Sequence, residues 1–197
     1  GNTGLASLGH SGFYAIGAYA TVVLMSKGHL PFILALLLAG LLTSFFGFLI
    51  GFPALRLSGP YLAIATFAFG VGMTIIIGRV EFLGGRQGLH APDLTIGSWH
   101  LKTDRDLYMF LIPLMVLLTL AGRNILNART GRALNAIRDS DIAAETMGVN
   151  LVMYKTMAFA ISAFYAGVAG GLYAFVLRFI EPEVFSMYLS IMFVVMI

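Results

Sequence analysis

The sequence predicts an all-α protein, a polytopic bundle of membrane-spanning helices. Three observations carry that expectation. Of 197 residues, 59% are hydrophobic before the 23 glycines are counted. Only 11% are charged, and the apolar residues gather into runs near the roughly 20 needed to cross about 30 Å of hydrocarbon. A soluble domain reaches about 45 to 50% apolar with glycine included, so an ordinary cytosolic globule is excluded. Mean hydropathy is +0.91. The runs lack the two-residue alternation of a membrane barrel, which leaves helix as the spanning element.

In chain order the segments are A, Leu5 to Met25; B, Pro31 to Leu55; C, Tyr61 to Ile77; D, Leu107 to Ala121; E, Tyr154 to Phe179; and F, from Phe185 onward. Five read as complete spans. The sixth is severed, because the chain stops at Ile197 inside an apolar run; with Gly1 rather than methionine at the start, it reads as an excerpt of something longer. Residues 1–197 are expected to form a single transmembrane domain.

Segment B carries Gly47 and Gly51 as a GxxxG pair, and segment E carries two stripes four residues apart, Ala163, Gly167 and Gly171, then Ala166, Gly170 and Ala174. Lipid supplies no hydrophobic drive between helices, so small residues that let backbones approach mark packing faces. Segments C and D are a few residues short. Gly51, Pro53, Gly59 and Pro60 join B to C, and Gly70 and Gly72 lie inside C. That cluster fits either a discontinuous helix facing a solute or a tight turn with close helix packing.

Two polar stretches separate the later segments. Residues 79–106 carry Gly84, Gly85, Gly88, Pro92, Gly97 and the one tryptophan, Trp99, and read as an irregular lid or interfacial loop. Residues 123–153 read as two short amphipathic helices. Ala133, Leu134 and Ile137 share a face flanked by Arg129, Arg132 and Arg138. Asp139 or Ser140 can cap a following helix whose first turn holds Asp141, and Gly148 stands where a left-handed C-terminal residue is wanted. Such helices either lie in the headgroup layer or dock into a groove on a soluble partner, and periodicity alone does not separate the two. Basic residues divide six and six between the two sides, so they do not orient the chain.

The absence of cysteine excludes disulfide scaffolds, thiolate zinc sites and cysteine nucleophiles. The net charge of +3 is spread between apolar runs and makes no phosphate-tracking face, so no nucleic-acid partner is expected. No metal site is expected, and no GxxxxGK[ST] phosphate loop occurs.

The run from Leu5 to Tyr19, LASLGHSGFYAIGAY, followed by Gly51 to Thr66, GFPALRLSGPYLAIAT, resembles the permease subunits of branched-chain amino acid ABC importers of the LivM type. The likeness continues through Gly84 to Leu89, Gly131 to Asp139, Ala143 to Gly148, Tyr173-Ala174 and Pro182-Glu183, nearly the whole chain. The resemblance implies a pore-forming subunit working by alternating access beside a second permease of the LivH type. Two cytoplasmic ABC ATPases, which would hold the ATP and magnesium, and a periplasmic or lipid-anchored solute-binding protein complete the set. It implies a multi-pass protein of the prokaryotic inner membrane with no catalytic site and no cofactor of its own. Residues 123–153 become a cytoplasmic coupling loop and 79–106 an outer loop. The coupling residues are then Arg132, Ala133, Ile137, Arg138, Ala143, Ala144 and Gly148, with Ala133 and Ile137 packing into the ATPase groove and the arginines at its rim. Ile142 stands where the general importer motif carries an acid. Leu83 and Val71 also depart from the pattern, and related permeases carry urea or short amides, so that substrate class is the alternative.

Two rivals come from other classes. Gly9-His10-Ser11-Gly12 reproduces the GxSG pattern of rhomboid-type intramembrane proteases, but His29, His90 and His100 all lie in loops, leaving no base on another spanning helix. An ion-driven transporter would place acids inside its spans, whereas all nine lie at or beyond the ends. Glu181, Pro182 and Glu183 instead read as the start of helix F. His10, Ser11, Tyr61 and Thr66 are the candidate substrate-pathway residues, with helix packing as the plain alternative for each.

Overall fold

The computed structural model describes residues 7–54, 60–92, 94–96, 99–100, 104–185 and 187–195. Its helices are α1 His10–Ser26, α2 Phe32–Ala54, α3 Pro60–Arg79, α4 Asp104–Asn127, α5 Arg129–Asp139, α6 Asp141–Thr146, α7 Leu151–Leu177 and α8 Met187–Val195. Of these, α2, α3, α4 and α7 are long and apolar enough to cross a membrane. The chain is a multi-pass membrane protein.

Helix α7 is the centre, packed against both α1 and α2. The expected small-residue stripes form those seams. A side chain at Gly17 would run into the backbone of Gly167, and one at Gly170 into the backbone of Tyr14. On the other seam Gly47 faces Ala163, Gly51 faces Phe159 and Gly167 sits under the side chain of Thr43, while Gly171 sits under Thr21 of α1. Both threonines return their hydroxyls to their own helix, to Ala39 O at 2.6 Å and Gly17 O at 2.7 Å, so neither is left unpaired in hydrocarbon. Where α2 begins, aromatic rings add to the packing, Phe32 meeting Phe175 edge-on at 4.9 Å and Phe110 of α4 at 5.7 Å.

Several boundaries differ from the sequence reading. Segment A reads as a span from Leu5, but Ser7 to Gly9 are not helical and α1 begins only at His10. Its 17 residues cover about 25 Å, short of a full crossing. Segments C and D are longer than their apolar runs because the helices continue through Arg79 and through Asp104, Arg105 and Asp106. Acids at the positive end of α4 favour that extension. The discontinuity considered around Gly70 and Gly72 is absent, since α3 is unbroken there, and α2 continues past Gly51 and Pro53 to Ala54. The turn containing Gly59 lies outside the described residues. Glu181-Pro182-Glu183 does not begin helix F directly; Pro182–Phe185 is a separate 3-10 turn before α8.

The all-helical reading leaves out four two-residue strands: β1 Leu89–His90, β2 Thr95–Ile96, β3 Trp99–His100 and β4 Phe179–Ile180. β1 pairs antiparallel with β4, Leu89 opposite Ile180 and His90 opposite Phe179, and β2 pairs with β3. Gly84, Gly85 and Gly88 supply the positive φ values of 80°, 54° and 74° that the turns before β1 require. Lys27 Nζ donates to Phe82 O at 2.7 Å and lies 3.6 Å above the Phe82 ring. These links place the α1–α2 turn, the α3–α4 connection and the α7–α8 connection on one side. Helices α5 and α6 lie at the opposite end of α7.

Candidate functional site

Two places concentrate polar chemistry, a buried knot where α1 begins and the two-helix elbow between α4 and α7. The knot forms because α1 starts level with the interior of its neighbours. His10, its first residue, meets Ser162, the twelfth of 27 residues of α7, and Leu8 just before it meets Thr66, the seventh of 20 in α3. Backbone without helical partners at this depth needs others. Leu8 N donates to Thr66 Oγ1 at 3.0 Å, Gly9 N to Ser7 Oγ at 3.4 Å, and Ser11 N to Ser190 Oγ of α8 at 3.2 Å. Gly9, Gly12 and Gly70 allow the approach; a side chain at Gly12 would stand 2.9 Å from Gly70 Cα.

The side chains close the network. His10 Nδ1 lies 3.3 Å from Ser7 O, and its Nε2 lies 2.8 Å from Ser162 Oγ. A carbonyl only accepts, so in a neutral ring Nδ1 carries the proton and Nε2 accepts from the Ser162 hydroxyl. Ser190 Oγ donates to Ser11 Oγ at 2.6 Å, and Thr66 Oγ1 donates to Ala63 O at 3.0 Å. The structure thus brings together three of the four expected pathway residues, His10, Ser11 and Thr66, with hydrogen bonds inside the chain. Tyr61 is elsewhere, 67% exposed on the first turn of α3. Sequence reasoning missed Ser7, Ser162 and Ser190. Hydroxyls inside apolar runs are the signal, but their spacing names no partner. His10 turns to Ser162 and Ser11 to Ser190, so the GxSG pattern does not assemble its two adjacent side chains into a nucleophile and base.

The elbow follows its local sequence. Ser140 Oγ accepts from Ala143 N at 3.2 Å, capping α6, and Gly148 takes φ +82° to end it. Asn150 Oδ1 accepts from Met153 N at 3.1 Å and starts α7. Lys155 Nζ bonds Asp141 Oδ2 at 2.6 Å, tying α6 to α7. Leu134, Ile137 and Ala144 are buried against the chain itself.

That burial corrects one role. Ile137, expected to enter a partner's groove, is 3% exposed and already covered. The apolar side chains that project are Ile142, 77% exposed, and Met147, 84% exposed. Arg132, Arg138, Ala143 and Gly148 are exposed, and Ala133 is half-buried. Arg132 reaches back to Asn127 O at 3.4 Å. Among the described residues no cluster of three or more metal-ligating side chains occurs.

Comparison with known proteins identifies the family. The family model described as "Branched-chain amino acid transport system / permease component" matches residues 1–197. The high-affinity branched-chain amino acid transport permease LivM of Salmonella typhimurium is 37% identical over 211 aligned positions, covering 94% of this chain and 50% of that protein. LivM of Escherichia coli is 38% identical with the same coverage. A probable LivM of Methanocaldococcus jannaschii is 26% identical over 147 positions, 71% of this chain and 42% of its own length. No solved structure matches. The chain spans about half the length of the first two relatives. On the match across its whole length, the chain belongs to the branched-chain amino acid transport system permease family.

Proposed function

We propose that this chain forms part of the translocation pathway of an ATP-driven importer for branched-chain amino acids in a prokaryotic inner membrane. The observation that carries the reading is the elbow. It lies between two long apolar helices, at the end of α7 opposite β4, and leaves Ile142, Met147, Arg132 and Arg138 exposed. A short helix presenting two apolar anchors beside cations suits a groove on a soluble partner. The partners are two cytoplasmic ABC ATPases that bind and hydrolyse ATP-magnesium, a second permease of the LivH type across the pathway, and a solute-binding protein on the outer face. Closure of the ATPases pushes on α5 and α6, and the spanning helices switch access from one side to the other.

The test has two arms. Cells carrying the complete system take up labelled leucine, isoleucine and valine, and lose that uptake when this subunit is removed; unchanged uptake, or loss confined to labelled urea, rejects the amino acid assignment. Ile142→Glu with Met147→Glu releases the ATPases during co-purification while membrane insertion persists. ATPases that stay bound reject the docking assignment.

A further inference from the structure

The elbow and the buried knot are fastened to the same face of one helix. Lys155 and Ser162 both belong to α7, and their seven-residue spacing is two turns, about 10.5 Å along the axis. Lys155 holds Asp141 of α6 at 2.6 Å. Ser162 holds His10, the first residue of α1, at 2.8 Å. Between them Phe159 is buried, its ring meeting Phe13 of α1 at 5.8 Å and its Cβ lying beside Gly51 of α2. The helix is unbroken through this stretch and braced on both flanks.

The kind of link matters. Apolar packing resists separation without selecting one distance and angle for a particular pair of atoms. An ion pair and a hydrogen bond each have an optimum distance and angle, so they fix the register of the elements they join. We propose that Asp141, Lys155, Ser162 and His10 are positioning residues of one strut, which carries displacement of α6 along α7 to the start of α1. There the non-helical Ser7 to Gly9 segment leans on Thr66 of α3 through the Leu8 amide, so movement of His10 is passed on to α3. The strut rests on the reading of the elbow as the ATPase-docking element.

The experiment measures solute taken up per ATP hydrolysed, in vesicles containing the full complex, with ATPase co-purification scored for every variant. Asp141→Asn and Lys155→Gln lower that ratio about two- to fivefold, the range over which a partly exposed ion pair can bias two states. The exchange Asp141→Lys with Lys155→Asp restores most of it. Ser162→Ala lowers the ratio and Ser162→Thr, which keeps the hydroxyl, does not. Single variants with a wild-type ratio overturn the strut, as does an exchanged pair that assembles and stays uncoupled. Should the exchanged pair fail to assemble, the two charge-removing single variants and the Ser162 pair decide the matter. ATPases that remain bound to the Ile142→Glu, Met147→Glu protein strike at docking instead, so the two failures are distinguishable.

Discussion

Glycine-to-alanine exchange at two positions separates close packing from helix propensity. Gly170 of α7 faces the backbone of Tyr14, and an added Cβ would lie 2.8 Å from its carbonyl carbon and 3.1 Å from its Cα. Backbone cannot rotate away as a side chain does, so α1 itself must move. Gly72 of α3 has nothing within 4 Å of the same added atom. Both exchanges gain the same helix propensity, roughly 1 kcal/mol, and that gain cancels in the comparison. What remains is the cost of overpacking one methyl group into the α1–α7 seam, about 1 to 3 kcal/mol. For a chain of this length each kcal/mol moves the melting midpoint by about 2 to 4 °C. Gly170→Ala in the detergent-solubilised permease, without partner chains, is therefore expected to melt about 2 to 12 °C below Gly72→Ala. Two variants that melt within about 1 °C of each other would refute the claim that direct backbone contact holds these helices together.

Three further outcomes are expected. Ser140→Ala removes the cap that accepts from Ala143 N, costing α6 about 1 kcal/mol, and amide exchange over residues 141–147 should quicken while that of α7 stays constant. Lys27→Gln removes the cation above Phe82; the site is exposed, so global stability should change by less than about 1 kcal/mol, yet limited proteolysis should cut residues 80–90 faster. Tyr165→Phe deletes the hydroxyl that donates to Leu118 O at 3.0 Å, worth about 0.5 to 1.5 kcal/mol, and amide exchange should rise in α4 but not in α2.

Much of the fold was legible because lipid imposes simple rules on sequence. Apolar run length located the spanning helices, and the four-residue recurrence of small residues in α7 located both of its packed faces. The elbow could be read residue by residue: Ser140 caps, Asp141 follows, and Gly148 adopts the backbone conformation that its position calls for. Local chemistry decides these features, so local sequence reveals them.

The rest depended on tertiary contact. Nothing around Ile137 distinguishes an apolar residue covered by its own chain from one awaiting a partner; only the packing of α5 against α4 and α7 settles that Ile137 is spent and Ile142 is available. Gly70 and Gly72 look alike in sequence, yet Gly70 accepts the start of α1, with Ser11 Oγ 3.2 Å from its added Cβ, and Gly72 faces open space. The late start of α1 is hidden because Leu5 to Gly9 is as apolar and small as the helix that follows. Before α1 the Leu8 amide finds its partner on another segment, in the hydroxyl of Thr66.

Two forms of cohesion divide the bundle unequally. Helices α1, α2 and α7 pack along glycine seams; α3 joins α1 through Gly12 against Gly70, the contact of the Phe13 and Phe69 rings and the hydrogen bond from Leu8 to Thr66, and α8 joins through Ser190. Helix α4 has no buried residue in its membrane-crossing window. It touches the core through Phe110, Leu114 and Leu118 and through the hydroxyl of Tyr165. The elbow bridges this difference in attachment: α5 continues from α4, the loosely held helix, whereas α6 is pinned by Asp141 to Lys155 on α7, the tightly held one. A load applied at the elbow is therefore not shared evenly. The tightly packed trio moves as one body, because shear within it would drive glycine backbones into their neighbours, and the compliance comes from the α4 seam. There the contacts are the hydrogen bond from Tyr165 to Leu118 O and the apolar side chains of Phe110, Leu114 and Leu118.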